Sequence, residues 1–210
     1  MPEIRSTKKE LAWFLFFNTL VFLFLYFGRI GGDFWFDTLG PTNIAWLTDL
    51  SQMVAILTRP AAVVATFCIA GLLAVKTHHT RGLLIIAGVS LITACATELL
   101  KLIFTVTRPG ESLVAIYGYS FPSTHAGTMA AFLMAAISQS KTAYSHNRNT
   151  FILWLGLAVF GVGFVAASRV LIGVHTVADV LAGIIVGLFC ARIVKTFATF
   201  SFDRAGGRTN

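Results

Sequence analysis

Residues 82–104 read GLLIIAGVSLITACATELLKLIF, an apolar run of 23 residues whose only charges, Glu98 and Lys101, fall near its end. A helix rises about 1.5 Å per residue, so about 20 such residues cross the hydrocarbon core of a bilayer. This run is read as a membrane span. Comparable runs lie at Leu11–Phe27, Pro60–Val75, Phe121–Gln139, Phe151–Ala167 and Val177–Ala191, the third and fifth of these borrowing length from less polar flanks. The expected fold is all-α: a polytopic membrane protein with six transmembrane helices in a single domain, residues 1–210.

Composition supports the same class. Hydrophobic residues make up 56% of the 210-residue chain and charged residues 12%, against about 25% charged in soluble domains. Phe alone occurs 19 times, and the mean hydropathy is +0.79. A soluble core of this size could not hide so much apolar surface, so lipid must cover it. The formal charge of +7 does not imply nucleic acid. The basic residues form short clusters between apolar runs, not a patch interleaved with aromatics. Cys68, Cys95 and Cys190 each sit inside an apolar run, which reads as small buried hydrophobes, not as a disulfide framework or metal site.

Lys8 and Lys9 precede the first run, yet Gly28–Gly32 holds no small-x-small cleavage site, so an uncleaved first helix is expected. With the N-terminus inside, eleven Lys and Arg residues fall on the cytoplasmic side. Five (Arg29, Arg59, Lys101, Arg108 and Arg169) fall on the other. That bias places both termini in the cytoplasm. The small size suggests a bacterial inner membrane. Between the first two runs, Gly31–Arg59 carries Phe34-Trp35-Phe36 beside Asp33 and Asp37. Aromatic residues among acids suit the headgroup zone, as an interfacial helical segment or as a guide for lipid.

Ionisable residues at membrane depth are expensive and are functional candidates by default. Here they gather at the outer ends of the runs. Lys101 and Arg108-Pro109 are seven residues apart, so on a continuing helix both cations project from one face, with Pro109 ending it. Glu98, three residues before Lys101, can neutralise it. Phe121-Pro122-Ser123-Thr124-His125 opens the fourth run, where freed backbone amides and a hydroxyl make an anion cradle beside an imidazole. Ser168-Arg169 is followed by His175 and Asp179. An i, i+4 spacing lets the carboxylate hold one imidazole nitrogen and leave the other as a nucleophile or base. Arg169 offers a planar cation suited to phosphate.

These three segments resemble the signatures of the type 2 phosphatidic-acid phosphatase superfamily, a family of integral membrane lipid phosphatases. Its pattern is Lys-x6-Arg-Pro, then Pro-Ser-Gly-His, then Ser-Arg-x5-His-x3-Asp. This chain reads Lys101 to Arg108-Pro109, Pro122-Ser123-Thr124-His125, and Ser168-Arg169 to His175 to Asp179. The signatures span 101–179, and the resemblance runs from about the second span onward. Thr124 stands where the pattern has Gly, adding a Cβ and a hydroxyl at a close phosphate approach.

The resemblance implies hydrolysis of a lipid phosphomonoester or diphosphate on the non-cytoplasmic face. His175 would attack phosphorus, Asp179 would orient its ring, and His125 would serve as acid and then base. Lys101, Arg108, Ser123, Thr124, Ser168 and Arg169 would hold the phosphate. No metal or other cofactor is expected, because the carboxylate cluster that Mg²⁺ needs is missing from the sequence pattern. The favoured substrate is undecaprenyl diphosphate, with phosphatidylglycerol phosphate and phosphatidic acid as alternatives. A lipid A phosphatase, a lipid-to-lipid phosphotransferase and an anion or phospholipid transporter remain as rival readings.

Overall fold

The computed structural model describes residues 2–31, 45–57, 80–110, 112–139 and 148–206. Six helices form within them: α1 (Pro2–Gly31), α2 (Ala45–Leu57), α3 (Thr80–Phe104), α4 (Thr124–Gln139), α5 (Arg148–Leu171) and α6 (Val177–Gly206). Four contain stretches long and apolar enough to cross a membrane, at Glu10–Gly31, Gly82–Phe104, Asn149–Leu171 and Val177–Phe197. The all-helical membrane class is therefore shown, and four of the six expected spans with it. The expected span at Pro60–Val75 lies outside the described residues. The one expected at Phe121–Gln139 appears as α4, 16 residues long, or about 24 Å at helical rise. The segment between the first two spans is helical over α2, which packs on α5.

Helix ends follow local chemistry. α3 stops at Phe104 because Thr105 turns into the left-handed region (φ 49°) and returns its amide to the Lys101 carbonyl at 2.9 Å. Such a turn satisfies an orphan carbonyl at a helix C-terminus. This corrects the expectation of a helix continuing to Pro109. Lys101 is in the last turn of α3, whereas Arg108 stands beyond the turn in an extended loop. α5 ends in the same way: Gly173 takes φ 71° and donates to the Val170 carbonyl at 2.9 Å.

α4 and α6 form the centre. α6 carries Gly183-Ile-Ile-Val-Gly187, a small-xxx-small pattern that lets membrane helices approach backbone to backbone. A Cβ on Gly183 would collide with the Ser123 carbonyl, and one on Gly187 with the Gly127 carbonyl. On α4, a Cβ at Gly127 would lie 2.8 Å from the Gly183 oxygen. Around this pair, α3 packs on both helices, α5 on both, and α1 on α6.

α1 docks through one face. Phe22, Leu25 and Tyr26 meet Phe104, Val106, Phe121, Ala178 and Ala182. Tyr26 and Phe104 have ring centroids 4.4 Å apart, and Phe22 and Phe121 5.2 Å apart, separations typical of favourable aromatic pairs. The other faces of α1 and α5 expose Trp13, Phe17, Phe24 and Phe160, the surface expected of lipid-facing helices. Cys190 is buried as expected, but Cys95 is exposed on α3. Cys68 lies outside the described residues.

Gly183→Ala should therefore lower the thermal unfolding midpoint in detergent, at a cost of about 1–3 kcal/mol as for other overpacked sites. Gly156→Ala, whose Cβ would meet nothing within 4 Å, should leave the midpoint unchanged or slightly raised. Equal midpoints for the two variants would contradict the close α4–α6 contact.

Candidate active site

The turn between α5 and α6 sets the centre of the site. The Arg169 carbonyl accepts the amides of Val174 (3.2 Å) and His175 (3.3 Å), which ties this turn to the last turn of α5. α6 then begins with Thr176-Val-Ala-Asp179. The Thr176 amide donates to Asp179 Oδ2 (2.9 Å), and the Asp179 amide donates to Thr176 Oγ1 (3.3 Å). This reciprocal capping box satisfies two orphan amides at a helix start. It also fixes the rotamer of a carboxylate that is 0% exposed.

His175 precedes the helix, so its pairing with Asp179 does not come from a shared helix face as the spacing suggested. The capped turn nevertheless brings its Nδ1 to 3.5 Å from Asp179 Oδ2, long for a hydrogen bond. The ring is buried, 3% exposed. Burial pushes the imidazole down from 6.5 to about 4. The Asp179 carboxylate opposes that shift, and the nearby guanidinium groups of Arg108 and Arg169 reinforce it.

The remaining candidates converge from other elements. Lys101, buried at the end of α3, donates to Glu98 Oε1 at 2.8 Å. Thr124 donates to the same oxygen at 2.6 Å. The hydroxyl that departs from the Pro-Ser-Gly-His pattern is thus turned toward Glu98, and it ties the start of α4 to the Lys101 turn. Ser123 sits before α4, its amide on the Asp179 carbonyl at 2.8 Å. Its hydroxyl is fully buried and has no hydrogen-bond partner among the described residues. A buried hydroxyl without a partner costs about 1–3 kcal/mol, so a ligand oxygen would be welcome there.

Arg108 donates through Nε to the Gly118 carbonyl (3.1 Å) and through Nη1 to the Val174 carbonyl (2.9 Å). It clips the loop after α3 to the His175 turn. Arg169 is 1% exposed. Ser168 donates its hydroxyl proton to the Val165 carbonyl at 2.7 Å, which leaves its oxygen to accept. His125 occupies the first turn of α4, next to Thr124, and is half-buried. All nine predicted residues therefore lie at one end of the bundle. Among the described residues no cluster of three His, Cys, Asp or Glu side chains could hold a metal ion.

Two participants were not singled out from sequence. Arg29, in the last turn of α1, brings Nε to 3.4 Å from Asp179 Oδ1 and donates through Nη2 to the Thr107 carbonyl at 3.1 Å. The helical face Phe22, Leu25, Tyr26, Arg29 was its signal. Thr176, the cap, was legible as Thr-x-x-Asp before an apolar run.

The profile of the PAP2 superfamily matches residues 82–203, more than half of the chain. The chain belongs to the PAP2 superfamily. Its matched segment holds every predicted site residue but leaves out α1. A similar solved structure is the transmembrane PAP2-type phosphatidylglycerolphosphate phosphatase of Bacillus subtilis, with a TM-score of 0.71 and 22% identity, covering 90% of this chain and 96% of that one. At that identity the likeness concerns the fold. Human sphingosine-1-phosphate phosphatase 2 is 33% identical over 97 residues, 46% of this chain and 23% of the human protein. The chain thus matches about a quarter of that relative's length.

The depressed His175 value has a thermodynamic consequence. Between pH 6.5 and about 4 the unfolded chain binds a proton at this ring that the folded chain does not, so folding stability falls as pH falls through that window. In His175→Gln the unfolding midpoint should depend less on pH between 6.5 and 4 than in the native protein. Identical slopes would contradict a buried neutral imidazole.

Proposed function

We propose that this PAP2 protein is a metal-independent lipid phosphatase that cleaves a phosphomonoester or diphosphate from a membrane lipid. It would work on the non-cytoplasmic face, through a phosphohistidine. The observation that carries this reading is a neutral, buried imidazole, His175, backed by Asp179 and set beside Arg108 and Arg169. With the proton on Nδ1 facing Asp179, the Nε2 lone pair is left for attack on phosphorus.

Nε2 of His175 forms the P–N bond as the bond from phosphorus to the lipid oxygen breaks. His125 gives its proton to that leaving oxygen. A water molecule then attacks phosphorus, His125 takes its proton, and the P–N bond returns its electron pair to His175. Lys101, Arg108 and Arg169 neutralise the non-bridging oxygens, with the Ser123 hydroxyl and the Thr124 amide around them, and the Ser168 hydroxyl joins them by turning its proton from the Val165 carbonyl to phosphate. Phosphoryl transfer depends mostly on such positioning and charge stabilisation.

The two similar proteins are a phosphatidylglycerolphosphate phosphatase and a sphingosine-1-phosphate phosphatase, both of lipid phosphates. For this chain undecaprenyl diphosphate is the favoured substrate. The loop between Pro109 and Phe121 carries few long polar side chains, which suits a compact head group on an apolar tail. Both termini would then lie in the cytoplasm, and the bacterial inner membrane is the proposed location.

Detergent-purified protein in EDTA should release phosphate from one or more of undecaprenyl diphosphate, phosphatidylglycerol phosphate, phosphatidic acid and lipid A. His175→Ala should reduce release to background, and His125→Ala should lose about 10²–10⁴-fold. A strict divalent-metal requirement, or full activity in His175→Ala, would sink the scheme. Release that appears only with an added lipid acceptor would make the protein a phosphotransferase.

A further inference from the structure

Arg29 belongs to a helix outside the segment that matches the family profile, yet its guanidinium lies against the fully buried Asp179. We propose that Arg29 is a positioning residue: it holds Asp179 Oδ1, so that Oδ2 stays fixed toward His175. The inference rests on the phosphatase reading for its activity readout and on geometry for its origin.

Asp179 has two oxygens with separate duties. Oδ2 takes the Thr176 amide at 2.9 Å and faces His175 Nδ1 at 3.5 Å. Oδ1 accepts no hydrogen bond among the described residues and has the Arg29 Nε at 3.4 Å, itself a buried atom without another partner there. The two atoms form an ion pair within the described residues. A buried carboxylate that loses its cation is left with a large desolvation cost, and it can relieve that cost by rotating or by taking a proton. Either change removes Oδ2 from His175.

The position of Arg29 is enforced, not incidental. Phe22, Leu25 and Tyr26 occupy the same face of α1, one and two turns earlier, and lock into Phe104, Phe121, Ala178 and Ala182. The Nη2 bond to the Thr107 carbonyl fixes the other end of the guanidinium. Arg29 therefore joins three pieces at once: α1, the loop that carries Arg108, and the cap of α6. Lys has one charge but no fork, so it could replace the charge at Asp179 and not both contacts.

The charges around the pair fix the sign of a pH effect. His175 faces Asp179 from α6, Arg169 from α5 and Arg108 from the loop after α3. Asp179 faces Arg29 from α1 and lies within electrostatic reach of Lys101 and Arg108. Glu98 pairs with Lys101 on α3, His125 is the titratable group at the start of α4, and Ser123, before α4, donates its amide to the Asp179 carbonyl. Removing Arg29 leaves Asp179 to rotate or to take a proton, and either change takes away the carboxylate charge that favours the His175 imidazolium. The imidazolium is thereby disfavoured.

The experiment compares native protein, Arg29→Gln and Arg29→Lys in detergent, with His175→Ala as the inactive baseline and unfolding midpoints measured for all. For Arg29→Gln, kcat should fall about 10- to 100-fold with KM nearly constant, as for other misplaced catalytic groups. The acid limb of kcat/KM should move to lower pH, and Arg29→Lys should recover part of both. A rise in KM with kcat intact would make Arg29 a substrate-binding cation and overturn the proposal. A loss that Arg29→Lys does not relieve, tracking only a lowered midpoint, would reduce it to a packing residue. Should the native protein prove inactive on every lipid, the His175 titration followed by NMR separates the two claims. A downward shift in Arg29→Gln supports the Arg29–Asp179–His175 linkage, and an unchanged or upward titration refutes it.

Discussion

A carboxylate with no exposure to solvent persists only where N–H groups and cations surround it, and Asp179 is in that position. Its side chain caps α6 through the Thr176 amide, faces His175, and meets Arg29 from α1. Its carbonyl receives the Ser123 amide from the start of α4. The start of α6, the imidazole, the start of α4 and the N-terminal helix are thereby tied to one residue. Ser123 reaches it because Gly183 and Gly187 let α6 lie close against the α4 backbone.

A second layer holds the cations. Lys101 and Thr124 share one oxygen of Glu98, so the end of α3 and the start of α4 cannot separate without breaking both bonds. Arg108 spans two main-chain carbonyls, one in its own loop and one in the His175 turn. These bonds hold the cations in fixed positions, which on the proposed phosphatase reading preorganises the positive charge for phosphate. Preorganised charge in a site shielded from water is the main resource for stabilising a phosphoryl-transfer transition state. The Thr124 hydroxyl, an exception to the family pattern, is turned into that brace.

Much of this was legible from residue types and spacing. Apolar length gave the spans that appear as α1, α3, α5 and α6, and the nine site residues fell together because charges at membrane depth are rare enough to be informative. Where geometry was inferred from ideal helices, it failed. Thr105 turns left-handed before Arg108, and α6 starts after His175, so neither pair shares a helix face. Single turns of this kind depend on caps and tertiary contacts that periodicity does not encode. Arg29 was counted only as a charge on one side of the membrane, because its role needs the α1 docking face, and docking is a long-range property.

The central claim is that His175 carries the phosphoryl group. The most direct measurement is rapid alkaline quench of the protein with radiolabelled lipid phosphate, followed by mapping of the bound label. The label should sit on His175 as an acid-labile, base-stable adduct in the native protein and vanish in His175→Ala. Turnover without any label on His175, or label on a hydroxyl residue such as Ser123, would contradict it.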